Sequence, residues 1–263
     1  MLAKSLLAYA PEELEARVVE LGGRPFHARI ARSELVERGV LEYAHMTALP
    51  VHLREALAAE IPLLCARELG RTRSRDATQK LLLGFPRGSA REDSVECVHI
   101  PARDPSSGKG ATLCVSTQVG CPVGCPFCAS GLAGLVRNLE AHEILEQYVV
   151  GRTLGALSRS VVMGIGEPLL NYANLRAALA VVTTEMGLGA RRVTVSTVGF
   201  PERVRRAARD RPPFQLAISL HTPDDEQRDQ LVPAMAGTPI QAVLEAGDEW
   251  FRSTGREVTY EYV

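Results

Sequence analysis

The chain has 263 residues, 46% of them hydrophobic and 23% charged, enough apolar content to bury a sizeable core. Its 30 Lys and Arg against 31 Asp and Glu leave a formal net charge of -1, which excludes a molecule-wide cationic footprint for nucleic acid but leaves local basic clusters open. No apolar run approaches the roughly 20 residues that span a bilayer, and Leu6 and Leu7 soon meet Glu12, Glu13 and Glu15, so neither a membrane span nor an export signal is read and a cytoplasmic location is expected.

Residues 5–22 read as an amphipathic helix, with Leu14, Val18, Val19 and Leu21 on one face and Gly22 and Gly23 as its stop. Helical runs follow at about 25–38 and 49–60, giving a small helical module. The segment from Arg67 to Lys80, rich in Arg and poor in apolar residues, reads as a solvated linker, with phosphate contact as the functional alternative. From residue 80 the period changes from helical to extended. KLLLGF and VECVHI read as a β-hairpin joined by the turn-rich PRGSARED, followed by the loop PARDPSSGKGA and the strand ATLCVSTQV. Beyond it, strands at 159–165, 191–197, 214–220 and 257–263 alternate with helices at 140–151, 173–186, 200–209 and 238–253. Such alternation predicts parallel βαβ units in a barrel or part of one, with functional residues at the C-terminal ends of the strands. The expected organisation is an α/β chain in three parts: 1–79 helical accessory module and linker, 80–111 hairpin, 112–263 partial barrel.

The strand ATLCVSTQV delivers the chain's densest chemistry. Cys121, Cys125 and Cys128 lie in C-P-V-G-C-P-F-C, with Cys114 seven residues upstream. Three thiolates on one short loop suit three irons of a [4Fe–4S] cluster and leave the fourth iron open. A zinc knuckle is the competing reading, but zinc commonly takes two paired ligand clusters and no second C-x-x-C or H-x-x-x-H exists in the chain. Structural disulfides would need an oxidising compartment. Polar residues also collect at the ends of the later strands: Gly166-Glu167-Pro168, Ser196-Thr197 and Ser219-Leu220-His221. Alone, each reads as a turn or a packed residue; beside the thiol loop they read as a site.

CVSTQVGCPVGCPFC, GLVRNL, MGIGEPLLN, VTVSTVG and AISLHTPDDEQRDQLVPA together resemble the radical S-adenosylmethionine (SAM) RNA methyltransferases, and within them the dual-specificity adenine-C2 methyltransferases of large-subunit ribosomal RNA and transfer RNA. EELEARVVELGGRPFHARI, HMTALPVHLREAL and VECVHIP resemble that family's accessory domain. The resemblance implies a (β/α)6 radical SAM barrel. It also implies that Cys121, Cys125 and Cys128 hold the cluster, and that Gly166, Glu167, Ser196, Ser219, Leu220 and His221 hold SAM. Methyl transfer would pass through a methylated cysteine near the family's C-terminus, with Cys114 as the resolving thiol that forms a disulfide with it and Glu96 as proton acceptor. A flavodoxin or ferredoxin would supply electrons to a monomeric enzyme without a membrane partner. Cys65 and Cys97 fall outside these motifs and read as packing residues.

The chain departs from the family in ending within its fifth barrel strand, without the sixth strand or the methyl-carrying cysteine, so a C-terminally incomplete barrel is expected. Other readings stay open at this point. They are a C8-adenine ribosomal RNA methyltransferase sharing the same motifs, a radical SAM activase acting on a partner protein, and a non-catalytic cluster-, SAM- or zinc-binding module.

Overall fold

The structure is a computed structural model that describes residues 4–87, 91–104 and 109–262. Parts of the PRGSARED turn and of the PARDPSSGKGA loop, and Val263, lie outside the described residues.

The N-terminal helices are α1 (Pro11–Glu20), α2 (Pro25–Val36) and α3 (Val51–Glu60). The chain begins α1 and α2 with proline at the first helical position, where the missing N–H is not needed. The single helix expected over 5–22 is divided: a 3-10 turn at Leu6–Ala8 precedes α1, because Pro11 cannot continue a helix begun upstream. Leu14 and Val18 are buried, whereas Val19 is 48% exposed, so the apolar face is narrower than its sequence suggests.

Residues 67–80 are not a linker. Strand β1 (Arg67–Arg73) pairs antiparallel with β2 (Gln79–Arg87), which pairs antiparallel with β3 (Arg91–Ile100). An edge strand with both faces largely in solvent shows no hydrophobic alternation, and its charged side chains discourage pairing with another chain. The strand expected over ATLCVSTQV is two strands. β4 (Ala111–Cys114) joins the main sheet, while β5 (Gln118–Gly120) pairs with β6 (Leu135–Asn138) in a separate ribbon.

The main sheet continues through β7 (Leu157–Val162), β8 (Val193–Thr197), β9 (Gln215–Ser219) and β10 (Val258–Glu261), in the order β1-β2-β3-β4-β7-β8-β9-β10. From β4 to β10 every pairing is parallel. Helices α4 (Ala141–Arg152), α5 (Tyr172–Thr184), α6 (Pro201–Asp210) and α8 (Ile240–Thr254) connect these strands, as the alternation predicted. A further short helix, α7 (Asp225–Leu231), is capped by Asp224, whose carboxylate accepts from Gln227 N at 2.7 Å.

The hydrophobic core is one cluster, running from Leu6 and Leu35 under the N-terminal helices through Leu81 and Leu113 to Val195, Ile218 and Trp250. The accessory helices therefore share a core with the sheet. Among the described residues no helix is long and apolar enough to cross a membrane.

Candidate active site

The cysteine loop leaves β5 and returns as β6. Gly120 has φ +73°, and a Cβ there would meet Gly134 O at 2.0 Å, so only glycine lets the two strands close this tightly. Cys121 N donates to Gly134 O at 3.1 Å and Cys128 N to Cys125 O at 3.1 Å, which folds the loop back on itself. Behind it Arg137 on β6 donates to both carboxylate oxygens of Glu143 on α4 and, at 2.5 Å, to Asp93 on β3. This largely buried guanidinium ties the ribbon to the main sheet.

Cys121, Cys125 and Cys128 line one cleft of about 250 Å³ together with Gly166, Glu167, Ser196, Ser219 and His221. The thiols and all the expected strand-end groups except Leu220 thus meet at the C-terminal edge of the parallel sheet. Leu220 is buried in the core and touches the site only through its backbone: its N–H donates to Glu261 O at 3.0 Å. Cys114 and Glu96 do not line the cleft. They lie beside it on neighbouring strands, close enough for the Glu96 charge to raise the Cys114 thiol, though burial is the larger cause. Glu96 is also ion-paired with Lys80 at 2.7 Å.

Glu167 is the hub of the cleft floor, with only 2% of its surface exposed. Its Oε1 accepts from Thr197 Oγ1 at 2.6 Å and Leu169 N at 3.1 Å; its Oε2 accepts from Val198 N at 2.9 Å. Burial pushes this carboxyl up, against the three hydrogen bonds that favour its ionised form. Gln118 completes the cradle by accepting from Glu167 N at 2.7 Å, and a Cβ on Gly166 would strike Gln118 at 2.6 Å.

His221 sits with φ +70°, a conformation uncommon for a side-chain-bearing residue and concentrated at functional sites. Its N–H donates to Glu261 O at 2.9 Å, its ring meets Phe127 of the cysteine loop edge-on at 5.0 Å, and its buried Nδ1 has no partner. Burial and then Arg228 lower its pKa, so the imidazole is neutral near pH 7.

Two site residues escaped the motif reading. Glu261, at the end of β10, lines the cleft and accepts from Ser196 Oγ at 2.7 Å. The strand-end rule applied to REVTYEYV would have found it. Arg228 on α7 is 1% exposed and donates to the carbonyls of Val198 (2.6 Å), Leu220 (3.3 Å) and Ser219 (3.4 Å), pinning the ends of β8 and β9. No periodicity in DDEQRDQ marks that burial.

The donor set fits a multi-metal cluster. Burial and the neighbouring thiols push Cys125 up to about 11, and burial also raises Cys121, so cationic charge is needed to hold them as thiolates. The three sulfurs do not form a set lying wholly within 4.8 Å of one another, the span a single ion requires. The polar groups across the cleft, with an unpartnered His221 Nδ1 among them, suit a zwitterionic nucleoside cofactor. None of the six cysteines is in a disulfide, so the expected disulfide bond of Cys114 is not supported.

Fold and cleft together define a parallel β/α sheet whose C-terminal edge gathers three thiols and the polar strand ends in one cleft. The Radical SAM superfamily model matches residues 115–263. A probable dual-specificity RNA methyltransferase RlmN of Rhodopirellula baltica is 41% identical over 264 residues, covering 98% of this chain and 69% of the relative. Its counterpart in a Synechococcus species is 38% identical over 271 residues, covering 100% and 75%. The crystal structure of a radical SAM methyltransferase from Sphaerobacter thermophilus superposes with a TM-score of 0.85 at 35% identity, over 98% of this chain and 75% of that one. The chain belongs to the radical SAM superfamily and, within it, to the RlmN family of RNA methyltransferases.

Proposed function

We propose that this chain is the cluster- and SAM-binding part of an enzyme that methylates C2 of an adenine in large-subunit ribosomal RNA, with transfer RNA as a second substrate, by a radical route through a methylated cysteine that is not among the six cysteines here. The convergence of three thiols and four polar strand ends on one cleft carries the reading. Cys121, Cys125 and Cys128 would hold a [4Fe–4S] cluster, which when bound with SAM supplies one-electron chemistry able to reach an electron-poor ring carbon.

The remaining steps belong to side chains. Glu167 Oε2, which accepts a single protein donor, offers its free lone pair to the SAM ammonium. Ser196, Ser219 and Glu261 present an alternating donor and acceptor row suited to ribose hydroxyls, and neutral His221 offers Nδ1. Glu96, oriented by Lys80, takes the proton from C2 of the adduct, and Cys114 resolves the protein–RNA link. Cys97 is fully buried and Cys65 is absent from the cleft lining, so neither is placed to carry the methyl group. A flavodoxin or ferredoxin donates the electron, and the enzyme works as a cytoplasmic monomer.

The test is incubation of the protein, expressed from its native gene and purified anaerobically, with ribosomal RNA, reductant and SAM bearing a trideuterated methyl group. Labelled 2-methyladenosine retaining two of the methyl deuteriums is the expected nucleoside. Labelled 8-methyladenosine, or SAM cleavage without any methylated adenine, overturns the substrate assignment.

A further inference from the structure

Cys65, read from sequence as a packing residue, lies in a polar cluster away from the cleft. The segment joining α3 to β1 brings it against α4, where His142 and Glu146 are four residues apart and so share one helix face. The Cys65 sulfur, a ring nitrogen of His142 and a carboxylate oxygen of Glu146 all lie within 4.8 Å of one another. We propose that Cys65, His142 and Glu146 form a divalent metal site of the zinc class, separate from the cluster, that fastens the segment following α3 to α4.

The chemistry of the set favours zinc over magnesium or calcium, which take oxygen ligands alone. One thiolate, one imidazole and one carboxylate leave a fourth tetrahedral position for water, and the partial exposure of Cys65 and His142 gives access to it. Glu146 Oε2 is committed to the N–H groups of Cys65 (2.7 Å) and Ala66 (2.6 Å), whereas Oε1 accepts from Ser5 Oγ at 2.7 Å. Those bonds fix the carboxylate and place Cys65 beside it. His142 Nδ1 also lies 3.4 Å from Oε2 of Glu140, a largely exposed carboxylate.

Charge balance points the same way. Glu146 is buried, and among the described residues no Lys or Arg forms an ion pair with it. Lys4, whose charge reaches His142, is committed to Glu13 at 2.7 Å. A divalent ion there would lie against a buried carboxylate and a half-buried sulfur and balance the charge of both as anions. Metal binding there would displace the thiol proton of Cys65 to solvent and leave oxidation states unchanged.

The inference is independent of the RNA assignment, and the test is built to be so. In a Cys121→Ala, Cys125→Ala, Cys128→Ala background the cluster thiols cannot compete. Titration with Co2+ should then give one equivalent with a thiolate-to-cobalt charge-transfer band and tetrahedral d–d absorption. Adding Cys65→Ala or His142→Ala should weaken binding by at least about tenfold. In parallel, wild-type protein with its cluster reconstituted should contain one zinc per chain beyond its iron by elemental analysis, and His142→Ala should lose the zinc while keeping the iron. Absence of the thiolate–cobalt band, its persistence in Cys65→Ala, or zinc content unchanged in His142→Ala overturns the proposal.

Discussion

At the scale of single residues, two buried carboxylates, Glu167 and Glu146, each accept from three donors. Glu167 serves three donors at once, so Glu167→Ala would strand Thr197 Oγ1, Leu169 N and Val198 N in the cleft floor. An unsatisfied buried donor costs roughly 1–3 kcal/mol, and the loss should approach about 3 kcal/mol or more in denaturant unfolding; Glu167→Gln should also destabilise, because its NH2 group would face either Leu169 N or Val198 N. Burial raises the Glu146 carboxyl from 4.5 to about 7. A carboxyl raised on folding binds more protons in the native state, so its stabilising share is complete below pH 4.5 and is lost as pH climbs through about 7. Melting of the metal-free protein should therefore fall between those pH values, and Glu146→Gln should flatten that slope. Saturating zinc should flatten it too.

Among the elements, the β5–β6 ribbon matters most for the cluster. Gly120→Ala places a methyl against Gly134 O and forces the ribbon open. Iron content after reconstitution should drop severely while far-UV circular dichroism stays near that of wild type, because the ribbon is a separate two-stranded sheet and the eight-stranded sheet has its own hydrogen-bond ladder. Legibility in the sequence divides along the same lines. The C-P-V-G-C-P-F-C loop and the strand–helix alternation were readable because ligand spacing and hydrophobic period are local properties of the chain. Strand β1 was not, since an edge strand exposed on both faces carries no alternation, and its arginines mimic a linker. The division of ATLCVSTQV into β4 and β5 was hidden as well: both halves are extended, and only their partners differ. Arg228 and the Cys65 cluster depend on which distant segments meet, which a single sequence does not report.

For the whole molecule, the core runs unbroken from Leu6 to Trp250, and the parallel strands deliver their C-terminal ends to one side. The cleft draws residues from the cysteine loop, the turn after β7 and the ends of β8, β9 and β10, so no single element forms it. On the proposed function, this edge binds a three-cysteine cluster that activates SAM. The most direct measurement is formation of 5'-deoxyadenosine and methionine from SAM under a strong one-electron reductant, comparing the anaerobically reconstituted protein with Cys125→Ala. Wild-type protein should form both products steadily, and Cys125→Ala none above background. Equal cleavage by both proteins, or no cleavage by a wild-type protein carrying its full complement of iron, would contradict that function.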